Sequence, residues 1–182
     1  FATITRALQS AAAYDTIYIA AGVYSETVVI DTDGISLIGA DSELTLINPP
    51  TGEGIKIFKS NVKVSNLKII APNNTAILLS GGSSNYHNTF NNLQIENSNK
   101  GIYYNDNNYC TAIYISIKNC DRGIEINQGY FNYTRYIKIE SCTTGIFLGP
   151  TTSWVNDNYF YNIDIDTPIY YGIYEGSLVG NI

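Results

Sequence analysis

Three segments of twelve residues recur along the chain at a constant interval: LQIENSNKGIYY at 93–104, ISIKNCDRGIEI at 115–126 and IKIESCTTGIFL at 137–148. Each segment alternates apolar and polar residues, has a glycine at its ninth position and then alternates again. Alternation places successive side chains on opposite faces of a strand. Each unit therefore predicts two short strands joined by a corner, and stacked units bury the apolar face that one unit alone would expose.

The glycine-isoleucine step continues on both sides of these segments at slightly longer intervals. Ala76-Ile77 precedes Gly101-Ile102, and Gly172-Ile173 follows Gly145-Ile146. A repeat of this length is typical of a solenoid. We expect one buried column of isoleucines, made of Ile102, Ile124, Ile146 and Ile173.

The amino-terminal residues predict a cap for this solenoid. Residues 3–13 have helical composition, and Thr3 or Thr5 suits the N-cap position. An amphipathic helix there would close the exposed end of the core. We therefore predict a single domain, 1–182, with a cap at 1–14, rungs at 15–176 and an open end at 177–182.

Length and composition limit the class of protein. With 182 residues, 45% apolar and 14% charged, the chain has the composition of one folded domain rather than a disordered segment. Its net charge of −6 and scattered basic residues argue against a nucleic acid partner. It contains no apolar run of about 18 residues, so we predict no membrane span. The three cysteines lack metal-binding spacing, and we expect neither a metal ion nor a cofactor.

Two parts of the chain resemble one known family. TITRALQSAAAYDTIYIAAGVYSETVVI at 3–30 resembles the start of the pectin-lyase-like β-helix proteins, and NTFNNLQIENSNKGIYYND at 88–106 and IKNCDRGIEI at 117–126 resemble their carbohydrate-binding and sugar-hydrolase repeats. The resemblance implies an all-β fold: a right-handed, single-stranded parallel β-helix of about seven rungs with an N-terminal capping helix. It leaves the activity open, because this superfamily includes lyases, hydrolases, esterases, epimerases, viral tailspikes and non-catalytic scaffolds.

Aligning the units on their glycines predicts ladders of outward side chains about 4.8 Å apart. A ladder of Asn92, Tyr114, Tyr136 and Asn162 lies beside a second one of Gln94, Ser116, Lys138 and Asp164. Aromatic rings beside polar groups offer a pyranose both a stacking surface and hydrogen bonds. We therefore predict glycan binding by Asn92, Tyr114, Tyr136, Lys138 and Asn162. The alternative is that Tyr114 and Tyr136 pack on each other or on a neighbouring subunit.

A third ladder carries charged side chains: Glu96, Lys118, Glu140 and Asp166. Glu140 with Asp166, or Asp164 with Asp166, are candidate catalytic carboxylates, because two neighbouring acids can separate their pKa values and divide acid and base roles. The alternative is a set of charges paired across strands, each pair contributing roughly 0.2–1 kcal/mol.

The second predicted sheet has an aromatic outer surface, formed by Tyr103, Phe147 and Tyr174 with Glu125 among them. Such a surface suits a glycan platform or a subunit interface, and we favour the interface. The open end at 177–182 is a second candidate contact. We therefore predict a homo-oligomer or a larger assembly.

Two further alignments predict ladders at corners. Asn88, Cys110, Asn132 and Asn158 align as an amide-type ladder. Cys120 and Cys142 align with Ser98, which we interpret as a ladder of small residues. A disulfide is the alternative, although parallel stacking rarely matches disulfide geometry.

The enzymatic signatures of the resembled family do not occur in this sequence. The esterase pattern of a glutamine and two aspartates is missing around the GVYSE turn, and the single histidine, His87, lies in SNYHNTF rather than in a polygalacturonase motif. No acid trio surrounds Arg122 or Arg135, as a pectate-lyase site requires. We interpret all three as loop or surface residues.

Two classes of function remain. The first is a non-catalytic extracellular β-helix of a cell surface, virion or appendage, structural and recognising a polysaccharide or cell-surface glycan. The second is a small polysaccharide lyase, hydrolase or epimerase. The missing motifs, short loops and open end favour the first class.

Overall fold

The structure, a computed structural model, describes residues 1–81, 86–149, 155–167 and 170–175. Its helix is α1 (Ile4–Ser10). Its strands are β1 (Thr16–Ile19), β2 (Gly22–Tyr24), β3 (Val28–Ile30), β4 (Ser36–Gly39), β5 (Thr45–Ile47), β6 (Ile55–Ile57), β7 (Lys63–Ile70), β8 (Thr75–Ser80), β9 (Thr89–Glu96), β10 (Lys100–Asn105), β11 (Thr111–Lys118), β12 (Arg122–Tyr130), β13 (Tyr133–Glu140), β14 (Thr144–Leu148), β15 (Val155–Asn156), β16 (Tyr159–Asp166) and β17 (Tyr171–Glu175).

Two parallel sheets extend along the described chain. Strands β1, β4, β7, β9, β11, β13 and β16 follow one another in the first sheet, and β3, β6, β8, β10, β12, β14 and β17 do so in the second. The chain therefore passes from one sheet to the other and back in every turn. Seven stacked strands in each sheet are separated by about six turns of the chain, which agrees with the predicted rungs to within one turn, and the all-β parallel solenoid is confirmed.

The expected column of isoleucines is in register from β10 to β17, as Ile102, Ile124, Ile146 and Ile173. Its first three members are completely buried. Ile173 differs from the prediction, because 60% of its surface is exposed. Its rung is the last one described, so no described strand covers it. The predicted open end at 177–182 lies outside the described residues.

Close approach between neighbouring rungs explains the recurring glycine. A Cβ atom on Gly101 would lie 2.3 Å from the carbonyl oxygen of Gly123, and one on Gly123 would lie 2.6 Å from that of Gly145. Non-bonded heavy atoms are most stable at about 3.5–4.0 Å, so a larger residue would force the rungs apart. The glycines therefore permit the tight stacking that the repeat predicts.

The long strands of the first sheet each contain a bend that the alternation pattern does not predict. The central residue of the bend has a left-handed backbone, with φ between 51° and 58°, and strand pairing skips it. These corner residues are Asn66, Asn92, Tyr114, Tyr136 and Asn162. The prediction placed the last four on the face of a strand, and this is corrected: they lie at a corner between two short strand segments.

The amino-terminal helix caps the core as predicted. Thr3 is the N-cap, and its side chain accepts a hydrogen bond from the backbone N–H of Arg6 at 3.2 Å. Ile4 and Leu8 are buried on the end of the core. Glu26 completes the cap by accepting hydrogen bonds from the backbone N–H groups of Ile4 and Thr5, both at 2.9 Å. The turn after β2 thus holds the start of the helix.

The predicted amide ladder lies inside the solenoid. The side-chain oxygen of Asn88 accepts from the backbone N–H of Val62 at 2.8 Å, and that of Asn132 accepts from Cys110 at 2.9 Å. The Asn132 amide also donates to Asn158 at 2.9 Å. These bonds satisfy backbone groups at a buried corner, which an apolar side chain could not do.

The three cysteines, Cys110, Cys120 and Cys142, are free and buried. The aligned pair Cys120 and Cys142 therefore forms a ladder of small side chains rather than a disulfide. Burial raises the pKa of the Cys110 thiol to about 12, so this residue is neutral and a poor nucleophile at physiological pH.

Candidate functional site

A groove of about 420 Å³ lies on the first sheet beside the corner residues. Its lining contains Glu43, Asn92, Leu93, Gln94, Tyr114, Ile115, Ser116, Tyr136 and Lys138. Four of the five residues predicted to bind glycan are in this set. The fifth, Asn162, is aligned with Tyr136 one rung further on and does not belong to the groove lining.

The floor of the groove is formed by outward side chains of three consecutive strands. Gln94 on β9, Ser116 on β11 and Lys138 on β13 are register partners. The neighbouring Leu93, Ile115 and Ile137 point into the core and are almost completely buried. Parallel strands repeat at about 4.8 Å, so the floor presents one polar group per rung along the solenoid axis.

The wall of the groove is a pair of stacked tyrosines. The rings of Tyr114 and Tyr136 have centroids 5.0 Å apart and planes inclined by 17°. The ring of Tyr161 is nearly perpendicular to that of Tyr136, with the two centroids 6.0 Å apart. The two rings therefore pack on each other, as the alternative interpretation expected, yet Tyr114 remains 58% and Tyr136 41% exposed. Both rings retain surface that a ligand could contact.

Asn92 extends the corner ladder beyond the tyrosines. Its side-chain amide donates to the side-chain oxygen of Asn66 on the preceding rung at 3.0 Å. This bond orients the Asn92 amide at the end of the aromatic wall. Along this corner, two asparagines, Asn66 and Asn92, are therefore followed by two tyrosines, Tyr114 and Tyr136.

Glu43 belongs to the groove although no repeated pattern contains it. Its carboxylate accepts a hydrogen bond from the side-chain amide of Gln94, which lies 51 residues later in the chain. The backbone N–H of Glu43 donates to the Asp41 carboxylate at 2.7 Å, which holds the turn before β5. Only the aspartate-serine turn at 41–42 signals this loop in the sequence, and nothing there indicates where Glu43 would reach.

The charged side chains near the groove form local pairs. Lys138 contacts Glu140 at 2.8 Å, and Lys68 contacts Glu96 at 2.8 Å. The hydrogen bond between Lys138 and Glu140 lowers the pKa of the glutamate and raises that of the lysine. Glu140 is therefore held in its ionised form.

Asp164 and Asp166 extend these ladders onto the last strand of the first sheet. They are register partners of Lys138 and Glu140, respectively, and both are exposed. These two aspartates thus lie beside one end of the groove, one rung beyond its floor, while the third candidate, Glu140, lies on the same strand as Lys138.

The second sheet carries the predicted aromatic residues, but cations cover their rings. Lys100 lies 3.8 Å from the ring centroid of Tyr103, and Arg122 lies 3.9 Å from that of Phe147. Both cations also pair with the buried Glu125, at 3.0 and 2.7 Å. Phe147 stacks on Tyr174 at 5.3 Å. Much of this aromatic surface is therefore engaged within the chain.

Sequence reasoning missed a second exposed tyrosine stack on the first sheet. Tyr133 and Tyr159 have centroids 5.0 Å apart and planes inclined by only 9°. They occupy equivalent positions on β13 and β16, on the other side of the corner from the groove. The available signal was their spacing in the sequence, which equals the interval between Tyr136 and Asn162.

His87 lies at a different corner and stacks on Tyr109 at 5.2 Å, which agrees with a loop residue. Across 1–81, 86–149, 155–167 and 170–175, no cluster of three or more histidine, cysteine or acidic side chains is placed to hold a metal ion. Within the same part of the chain, no helix combines the length and the apolar character needed to cross a membrane.

No family model and no curated protein matches the chain. Among solved structures, it is similar to the pectin methylesterase from Yersinia enterocolitica, with 14% identity and a TM-score of 0.59 over 92% of this chain and 67% of that chain. A pectin methylesterase mutant in complex with a hexasaccharide is similar at 11% identity and a TM-score of 0.45, over 88% of this chain and 85% of that one. The first likeness establishes the architecture and no activity: the chain has a right-handed parallel β-helix fold like that of the pectin methylesterase.

Proposed function

We propose that this protein is a glycan-binding β-helix and that the groove beside Tyr114 and Tyr136 is its binding site. The observation that carries the proposal is the composition of the groove. It combines an exposed aromatic wall with a floor of amide, hydroxyl and ammonium groups, repeated along the solenoid axis. A glycan strand lying along that axis would meet a new polar group at every rung, about 4.8 Å apart.

The chemistry of a pyranose fits these groups. Its C–H face packs against an aromatic ring, and its hydroxyls exchange hydrogen bonds with amides and hydroxyls. In this groove Tyr114 would provide the aromatic contact, while Asn92, Gln94 and Ser116 would donate and accept hydrogen bonds. A sugar would lie against the exposed part of the Tyr114 ring, because Tyr136 covers one of its faces.

A binding role without catalysis is favoured by the state of Glu140. A hydrolase of the paired-carboxylate type needs one acid whose pKa is raised so that it can donate a proton. The hydrogen bond from Lys138 lowers the pKa of Glu140 instead. Glu140 therefore suits an ion pair better than a general acid.

An enzyme acting on polysaccharide is the second candidate. It is favoured by the fold shared with a pectin methylesterase and by the Glu43 carboxylate inside the groove. Asp164 and Asp166 would be its further acids. Incubating the protein with acidic and neutral polysaccharides, and measuring released methanol, new reducing ends and unsaturated ends, tests this candidate. Product formed by the wild type and abolished by Glu43→Gln would favour the enzyme.

Blocking the floor of the groove tests the binding proposal. Ser116→Tyr adds bulk at the centre of the groove without adding charge, and its outward position leaves the core intact. We expect at least a tenfold loss of affinity, or about 1.4 kcal/mol, for any glycan that the wild type binds in calorimetry.

The matched control for this experiment is Ser65→Tyr. Ser65 is an outward serine on β7 of the same sheet and does not line the groove. The Ser65→Tyr variant should bind glycan with the same affinity as the wild type. Equal affinity of the wild type, Ser116→Tyr and Ser65→Tyr would contradict the proposed site.

We extend the proposal to the location of the protein and its oligomeric state. An acidic chain rich in uncharged polar residues suits an extracellular, cell-surface or virion location, and a homo-oligomer through the second sheet remains a prediction. Light scattering on the purified protein measures the assembly. The variant Phe147→Ala should dissociate it if the second sheet forms the interface.

A further inference from the structure

Carboxylates surround one end of the groove. Glu43 lies inside the groove, and Glu140, Asp164 and Asp166 lie at or beyond the end marked by Lys138. Strand register places Asp164 next to Lys138, on a strand about 4.8 Å away. Three carboxylates therefore act on this end together with the one lysine of the groove lining, and Glu43 adds a fourth at the opposite end, where it bonds to Gln94.

That lysine is already engaged. Lys138 contacts Glu140 at 2.8 Å. The pKa of Lys138 is raised first by this hydrogen bond and by the charge of Glu140, and then by the charges of Asp164 and Asp166. The lysine is thus surrounded by negative charge, and an anionic ligand would have to compete with three carboxylates for it.

Two further lysines on the neighbouring strands also face carboxylates. Lys68 contacts Glu96 at 2.8 Å, and Lys118 lies in register between Glu96 and Glu140. Neither lysine belongs to the groove lining. With Glu96 included, this part of the sheet carries five carboxylates and three lysines, so its net charge is negative.

Negative charge of this kind acts over the width of the groove. At physiological ionic strength, charges interact over about 8 Å before salt screens them. Two neighbouring rungs lie within that distance. A ligand with a carboxylate on every sugar would therefore be repelled at several points, whereas uncharged hydroxyls would still bond to Asn92, Gln94 and Ser116.

We infer that the groove selects uncharged glycan chains and discriminates against polyuronates. The inference rests on the proposed glycan-binding function and adds the chemical class of the ligand.

Matched ligands isolate the effect of charge. One pair is polygalacturonate and its fully methyl-esterified form, and another is a soluble β-1,4-glucan and the same glucan carboxylated at C6. Within each pair the sugar backbone is the same, and the two members differ only in the group at C6, which is charged in one and uncharged in the other. We expect the uncharged member to bind at least tenfold more tightly at low salt, and the difference to shrink as sodium chloride is raised to about 0.5 M.

Charge-removing variants assign the discrimination to this surface. Asp164→Asn with Asp166→Asn should reduce the ratio of the two dissociation constants at least threefold. The control is Asp31→Asn, an exposed aspartate after β3 and outside the groove, which removes one negative charge where the double variant removes two, and it should leave the ratio unchanged.

The outcomes separate the two proposals. If the charged member of a pair binds as tightly as the uncharged one, the inferred selectivity is wrong while glycan binding stands. If Asp31→Asn changes the ratio as much as the groove variants do, the discrimination comes from net charge and the inference fails. If no member of either pair binds, the proposed function is overturned and the inference with it.

Discussion

Replacing Ile124 by alanine tests whether the repeat carries the stability of the protein. Ile124 is completely buried on β12, between Ile102 on β10 and Ile146 on β14. Truncating a buried isoleucine to alanine costs about 2–5 kcal/mol, and the loss is larger where the surroundings cannot collapse. Paired strands hold the backbone on both sides of Ile124. We therefore expect a loss towards the upper end of that range, about 3–5 kcal/mol.

Ile173 provides a control within the same column. It has the same side chain and rung position, but 60% of its surface is exposed. Complete burial of an isoleucine contributes about 1.5–3 kcal/mol, so the buried fraction of Ile173 contributes roughly 1 kcal/mol. The loss for Ile173→Ala should therefore be smaller than the loss for Ile124→Ala by about 2–4 kcal/mol.

Equilibrium unfolding in urea measures both losses. The free energy of unfolding is obtained by linear extrapolation, and an unchanged slope shows that the variants unfold from the same folded state. Equal losses for the two variants, or a loss below about 1 kcal/mol for Ile124→Ala, would refute the stacked column as the source of stability.

Two further predictions concern the corner and the cap. Replacing Tyr114 and Tyr136 together by asparagine, the residue that occupies the same corner in neighbouring rungs, should weaken glycan binding at least tenfold. The free energy of unfolding should fall by less than the roughly 1.5 kcal/mol that a stacked pair can contribute, because asparagine adopts the left-handed backbone more readily than tyrosine. Tyr18→Asn on the exposed face of β1 should change neither quantity, and unchanged binding by the double variant would contradict the site. Burial raises the pKa of Glu26, but its hydrogen bonds to Thr5 and Ile4 lower it by more, so the folded pKa lies below the usual 4.5 and the carboxylate stabilises the fold above that pH and ceases to do so as the pH falls through the folded value. Glu26→Gln should therefore be less stable than the wild type by under about 1 kcal/mol at pH 7, and the difference should shrink as the pH falls below 4.5. A difference that does not change with pH would show that the ionised form is not responsible.

The repeated part of the fold was predictable because two local rules agree there. Alternation assigns inward residues such as Leu93 and Ile115, and glycine marks where rungs approach too closely for a side chain. Thr3 was predictable as a cap for a similar reason, since a hydroxyl at that position satisfies a free N–H group. Each inference needed only neighbouring residues and the repeat interval.

The corners were not predictable from alternation, because alternation assumes that every residue is extended. Phe90 and Leu93 both face the core, although two residues separate them. The left-handed residue Asn92 supplies the extra turn that makes this spacing work. Buried residues three positions apart, instead of two, were the available sign of a corner in the sequence, and Ala112 and Ile115 repeat this spacing.

Glu43 was not predictable for a different reason. Its place in the groove depends on a turn between β4 and β5 that has no counterpart in the regular rungs, and its partner Gln94 lies 51 residues away. Repeats specify what recurs, whereas a site is often completed by a segment that does not recur.

Aromatic residues at left-handed corners have a conformational cost that something must offset. A residue other than glycine in this conformation costs about 1–3 kcal/mol, and a stacked aromatic pair returns about 0.5–1.5 kcal/mol. At another corner, His87, Tyr109 and Phe131 likewise combine a left-handed backbone with stacking of their rings. Stacking at corners is therefore a general device of this solenoid and does not by itself mark a site. Tyr114 and Tyr136 differ because they line a groove that Glu43 shares. The Ser116→Tyr variant fills that groove and leaves both rings in place. It therefore tests the binding role alone, whereas replacing the tyrosines changes binding and stability together.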